Sequence, residues 1–111
     1  METFEERAAQ NEALFRSVNE QIEKLGQVES KSGQRPIAFV CECSDGTCAE
    51  QLQLTIGEYE EVRSEGRWFA IVPGHLTERI EHVVRTTDRY LIVEKDTPAA
   101  VEIAEISDPR D

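Results

Sequence analysis

Three cysteines fall within eight residues, Cys41, Cys43 and Cys48, in the spacing C-x-C-x4-C. In extended backbone, residues i and i+2 share a face, so Cys41 and Cys43 project together. Asp45-Gly46 is a strong turn dipeptide that folds Cys48 back toward them. Three sulfurs then meet with little help from the rest of the chain. A tetrahedral zinc site needs a fourth ligand, and His75, placed by the Pro73-Gly74 turn, is the best candidate. Three readings of the cluster stay open. It is a zinc site, or a set of redox-active thiols, because C-x-C can close a strained, reducible disulfide, or a group of cysteines acting as small apolar side chains. Thiolate and imidazole suit zinc, which favours the first. His82 lies among charged residues in a segment with helical spacing and is the weaker ligand candidate.

A catalytic zinc keeps an open position for water and commonly has three protein ligands. Three thiolates on a divalent ion leave a net charge of −1 and a poor Lewis acid, so a closed structural site is expected. The chain carries no phosphate-cradling glycine loop, no G-x-S-x-G and no H-E-x-x-H. Its carboxylates are too many for any two to be singled out as an acid–base pair. An odd number of crowded cysteines is also not the framework of a secreted disulfide scaffold.

The composition narrows the partners. The 111 residues carry a formal charge of −11, with a pI near 4.6. This argues against nucleic acid or an anionic membrane, since phosphate binding needs clustered Lys and Arg. The longest apolar run is far short of a membrane span. The opening METFEERAAQNE lacks the basic-then-apolar order of a signal peptide, and the expectation is a cytoplasmic protein. Leu, Ile, Val and Phe make up about a quarter of the chain, above the level at which so charged a sequence stays unfolded.

The elements that must position the cysteines follow from periodicity. Residues 2–26 read as one helix of ~35 Å at 1.5 Å per residue, with a heptad seam at Phe4, Ala8, Asn11, Phe15, Val18, Ile22 and Leu25. Thr3 and Glu6 have capping-box spacing, and Gly26 suits the stop. So long a helix either packs along its own sheet or self-associates through the seam, where a polar Asn11 would fix register. A polar linker occupies 27–36. Ile37–Cys41 reads as a strand, Gln51–Leu54 as its partner across the cysteine turn, and Trp68–Val72 and Tyr90–Val93 as two more. Thr55 with Glu58 forms a second capping box for a short helix closed by Gly66. Leu76, Ile80, Val83 and Val84 have helical spacing. Thr97-Pro98 opens a last short helix over 98–106, a segment that also fits a strand. The fold class is α+β: a long N-terminal helix plus a small, mostly antiparallel sheet with short helices, a single domain overall whose residues 37–111 carry the metal site.

Together these segments resemble a family of small, acidic bacterial proteins. The resemblance rests on Asn11 to Arg16 with Val18 to Ile22, on Phe39 to Cys43 with Cys48, on Leu54 to Tyr59, on Val72 to His75 and on Tyr90 to Lys95. Proteins that look like this pair the cysteine turn with a Pro-Gly-His element, which implies that His75 belongs to the site. The resemblance implies nothing about a substrate. Asn11, Phe15, Arg16 and Asn19 are the candidate partner contacts, since the helix is more specific than generic amphipathicity requires; bonding the 27–36 linker is the alternative role. The expected function is a small zinc-binding structural or adaptor domain that meets a protein partner, or a second copy of itself, through the helix. The alternative is a redox or catalytic thiol protein.

Overall fold

The computed structural model describes residues 2–29 and 35–110. The order is α1 (Phe4–Glu29), β1 (Ile37–Val40), β2 (Gln51–Leu54), α2 (Ile56–Val62), β3 (Trp68–Ile71), β4 (Glu81–Thr86), β5 (Leu91–Lys95) and α3 (Pro98–Ile106). The architecture is α+β, as the composition and periodicity indicate, with the strands in two small antiparallel sheets. β1 pairs with β2, Phe39 opposite Leu52. The other sheet runs β3-β5-β4, with Phe69 opposite Val93 and Val93 opposite Val83.

The caps form as the spacing predicts. Thr3 and Glu6 exchange side-chain and backbone bonds at 3.2 and 3.1 Å ahead of α1. Thr55 and Glu58 do the same for α2, and Thr97 caps α3 with Pro98 in its first turn. Each box satisfies amide groups that a helix start leaves unpaired. The core is built on Phe39, Leu52, Leu54, Tyr59 and Ile92. The Phe39 and Tyr59 rings stack with centroids 4.5 Å apart.

Two expectations are corrected. Gly26 does not end the first helix, which runs through Glu29 into the segment read as linker; residues 30–34 of that segment lie outside the described residues. Gly26 serves close approach instead. A Cβ there would come within 2.5 Å of Ile37 Cδ1 on β1. The segment after His75 is not helical: from Glu81 it is strand β4, with a register irregularity between Val83 and Arg85. Its apolar spacing fits a helix, but pairing with β5 decides the outcome, and Val83 and Val84 stay exposed.

The inner face of α1 is the largest departure from the periodicity. The helix buries Ala8, Ala9 and Ala13 together with Glu12, Arg16, Asn19, Glu20 and Glu23. It exposes Phe4, Leu14, Val18 and Leu25. At about 100° per residue, Leu14, Val18 and Leu25 lie within about 40° of one another, opposite Arg16 and Glu23. Small alanines admit α3 closely, and each buried charge finds a partner far along the chain. Arg16 donates to the carbonyls of Gly66 and Ala104, both at 2.7 Å, and lies 4.5 Å from the Phe69 ring centroid. Lys95, fully buried, pairs with Glu12 and Glu81. Arg63 binds Glu20 at 2.6 Å and also pairs with Asp108. No helix among the described residues is long and apolar enough to cross a membrane.

Candidate metal centre

The cysteine segment leaves the end of β1 still extended. Cys41 N–H donates to the Glu50 carbonyl at 3.0 Å and Glu42 N–H to the Ala70 carbonyl at 2.8 Å. The knuckle is therefore held between the β2 side and β3. Alternation puts Cys41 and Cys43 on one face and Glu42 on the other. The chain then turns at Asp45, whose carbonyl accepts from Cys48 N–H at 3.0 Å and whose carboxylate accepts from the Thr47 N–H at 2.9 Å and hydroxyl at 2.7 Å. From the other side comes the turn after β3. His75 N–H donates to the Val72 carbonyl at 3.0 Å. Gly74 sits at φ +95°, a left-handed conformation that favours glycine.

The four side chains meet. One ligand atom from each of Cys41, Cys43, Cys48 and His75 lies within 4.8 Å of the other three, close enough to bind a single metal ion. His75 Nδ1 is 3.5 Å from Cys41 Sγ and 3.7 Å from Cys48 Sγ. With metal–sulfur bonds of ~2.3 Å and metal–nitrogen bonds of ~2.05 Å, a tetrahedron has S···N edges of ~3.6 Å. The observed pairs bracket that length. Cys41 and Cys43 are buried, while Cys48 is partly exposed.

Two supporting contacts were not anticipated from the spacing. The Glu50 carboxylate lies 2.7 Å from His75 Nε2. Nδ1 is the ring nitrogen that faces the sulfurs, and a carboxylate beside the other ring nitrogen is the usual arrangement around a metal-bound imidazole. Val72 N–H donates to Cys41 Sγ at 3.2 Å, a bond that favours a charged sulfur. Glu42, between the two cysteines, accepts from Asn19 Nδ2 and Tyr59 Oη, each at 2.8 Å, and from Ala70 N–H at 2.9 Å. The same i, i+2 rule that joins the cysteines sends Glu42 inward, so this latch was open to inference. Glu50 had no comparable signal.

Burial, reinforced by the crowded sulfurs, pushes the Cys41 thiol far above its ordinary value and the Cys43 thiol up to about 11. This is the reverse of the depressed value that marks a reactive cysteine. Without a cation these side chains stay protonated, and a divalent ion would let them ionise together.

The remaining candidates are placed elsewhere. His82 lies on β4, 3.0 Å from the Asp96 carboxylate, and is not part of the cluster. Asn11 Nδ2 donates to the Ser44 carbonyl at 2.8 Å and ties α1 to the cysteine turn. Phe15 is half-buried. Arg16 and Asn19, expected as partner contacts, are fully buried and bonded within the chain. Among the described residues, the bonds of Asn19 go to β1 and Glu42; part of the 27–36 segment lies outside the described residues. The Asn19 amide pairs with Val40 N–H and C=O, both at 2.8 Å. A polar cleft of about 280 Å³ opens beside the cluster, lined by Cys43, Ser44, Asp45, Gly74, His75 and Thr77 among others. Comparison with protein-family models, with curated proteins and with solved structures gives no match.

Proposed function

We propose that the protein is a small zinc-stabilised binding domain that offers the outer face of α1 to a protein partner. One observation carries the metal half: four ligand atoms, three sulfurs and one imidazole nitrogen, lie within 4.8 Å of one another. Three soft sulfurs and one nitrogen at tetrahedral spacing match zinc better than the harder divalent ions, which take oxygen. With all four positions filled by protein and a net charge of −1, the ion serves structure. It joins the β1–β2 turn to the end of β3, a link that buried apolar area alone secures poorly in so small a domain.

The binding half is supported by α1. Among the described side chains, its exposed positions include Phe4, Leu14, Val18 and Leu25, and Arg7 lies in the same arc. On a chain of net charge −11, an apolar face that carries one arginine complements a partner surface that is apolar and offers a carboxylate.

Protein purified without chelator should contain close to one zinc per chain by elemental analysis, and a strong chelator should lower its melting temperature. Cys48→Ser should lose the metal, whereas His82→Ala should keep it. Native protein that lacks zinc and has three freely titrating thiols would overturn the proposal.

A further inference from the structure

Within that zinc reading, on which this inference rests, we infer that the centre is a peroxide-sensitive latch. Oxidation would join Cys48 to Cys43 and eject the metal, while Cys41 stays reduced.

The three sulfurs are held unequally. Cys41 is fixed on two sides: its N–H bonds Glu50, its Sγ accepts from Val72 N–H, and it is buried. A Cys41–Cys43 bridge would have to close across Glu42, whose carboxylate is pinned by Asn19, Tyr59 and Ala70. Such a bridge is strained even in an unconstrained C-x-C. Cys48 is different. It is partly exposed and follows Asp45, Gly46 and Thr47, all of them exposed. Its sulfur lies within 4.8 Å of that of Cys43. A small movement of this surface turn brings the two sulfurs to bonding distance, ~2.05 Å. The first sulfur to react, Cys48, is reached through its own partial exposure, and the second, Cys43, lines the polar cleft with His75. Hydrogen peroxide is small and polar and fits such an opening.

The chemistry balances. A metal-bound cysteine is a thiolate, the nucleophilic form. Cys48 Sγ attacks one oxygen of hydrogen peroxide. An S–O bond forms, the O–O bond breaks, hydroxide leaves, and Cys48 becomes a sulfenic acid. Cys43 Sγ then attacks Cys48 Sγ, the S–S bond forms, the S–O bond breaks, and a second hydroxide leaves. The two sulfurs lose two electrons in all and the peroxide gains them. Two protons from solvent turn the hydroxides into water. Cys41 and His75 remain as two ligands, too few for tight zinc binding. Because Asn11 bonds Ser44 at 2.8 Å, the loosened turn is coupled to the first turns of α1.

The test treats zinc-loaded protein with roughly tenfold excess hydrogen peroxide, followed by a chromogenic chelator, intact mass and peptide mapping. The expected result is release of close to one zinc per chain and a loss of about 2 Da from the reduced mass, two hydrogens for one disulfide. The bridge should map to Cys43 and Cys48, and dithiothreitol with added zinc should restore the starting state. Cys48→His keeps four ligands but removes the oxidisable sulfur. It should hold zinc through the same treatment, releasing it at least about tenfold more slowly. Retention of zinc by the wild type, a bridge that includes Cys41, or equally fast release from Cys48→His would overturn the inference. Untreated protein without zinc would overturn the metal reading itself, before any oxidant is added.

Discussion

Glu42 sits between two cysteines and points away from both. Its carboxylate takes three donors in a fully buried position. Burial pushes its carboxyl up, and the bonds from Asn19, Ala70 and Tyr59 pull it back. Glu42→Gln exchanges one oxygen for an amide NH2. In either orientation that group meets a donor, Ala70 N–H on one side or Asn19 and Tyr59 on the other. The expected cost is about 1–3 kcal/mol, the range for a buried donor left without an acceptor, measured by denaturant unfolding of the zinc-loaded protein. Because the knuckle is set by this latch, zinc affinity by chelator competition should fall as well; an unchanged affinity would detach Glu42 from the site. At this scale the sequence was most informative where neighbours make the geometry. Cys41, Cys43 and Cys48 converge through an extended dipeptide and a turn, both local. Arg16, Asn19 and Lys95 were not legible as buried residues, since the groups that satisfy them are distant in sequence: Ala104 for Arg16, Val40 and Glu42 for Asn19, Glu12 for Lys95.

The helix α1 shows the same lesson one level up. Its heptad of apolar side chains was legible and its length nearly so, but periodicity left open whether that seam faces the fold or solvent. Apolar periodicity locates the inner face only when burial is apolar, and this helix buries alanines and paired charges while it exposes Leu14, Val18 and Leu25. Two substitutions at adjacent positions separate the faces. Ala13→Leu points inward between α1 and its neighbours and should destabilise by about 1–3 kcal/mol, the usual effect of overpacking. Leu14→Lys points outward and should change folding stability by less than about 0.5 kcal/mol. If a second copy is the partner, sedimentation of the wild type should show a concentration-dependent dimer, and Leu14→Lys should dissociate it without loss of zinc. The dimer should tighten with salt, because screening relieves repulsion between chains of net charge −11. A helical face that tolerated Ala13→Leu and failed at Leu14→Lys in the isolated monomer would reverse this assignment.

Across the whole molecule, the acidic chain closes by threading its few cations among carboxylates. Arg110, near the C-terminus, reaches Glu20 at 3.0 Å, Glu23 at 2.9 Å and Glu60 at 2.6 Å, and so joins the tail to α1 and α2. This knot gives stability two opposed pH limbs. Arg110 beside Glu60 holds that carboxyl below its ordinary value. Its contribution is present above the ordinary carboxylate range and fades as pH falls, and under the proposed zinc reading proton competition for the four ligands would weaken the fold in the same direction. Glu23 behaves oppositely. Burial, together with the neighbouring Glu60, pushes its carboxyl from 4.5 up to about 8. A raised value means that stability from this group is complete below about 4.5 and is lost as pH rises through about 8, where a buried carboxyl must ionise in the folded state. Glu23→Gln removes that ionisation and keeps the shape. Whatever constant offset the loss of its bond to Arg110 introduces, the variant should gain on the wild type between pH 6 and pH 9, and its alkaline limb should be flatter. Denaturant unfolding of both proteins, zinc-loaded and at matched ionic strength, measures this directly. A difference that stayed constant across the interval would show that Glu23 ionises at its ordinary value, and that repulsion among surface carboxylates alone shapes the alkaline limb.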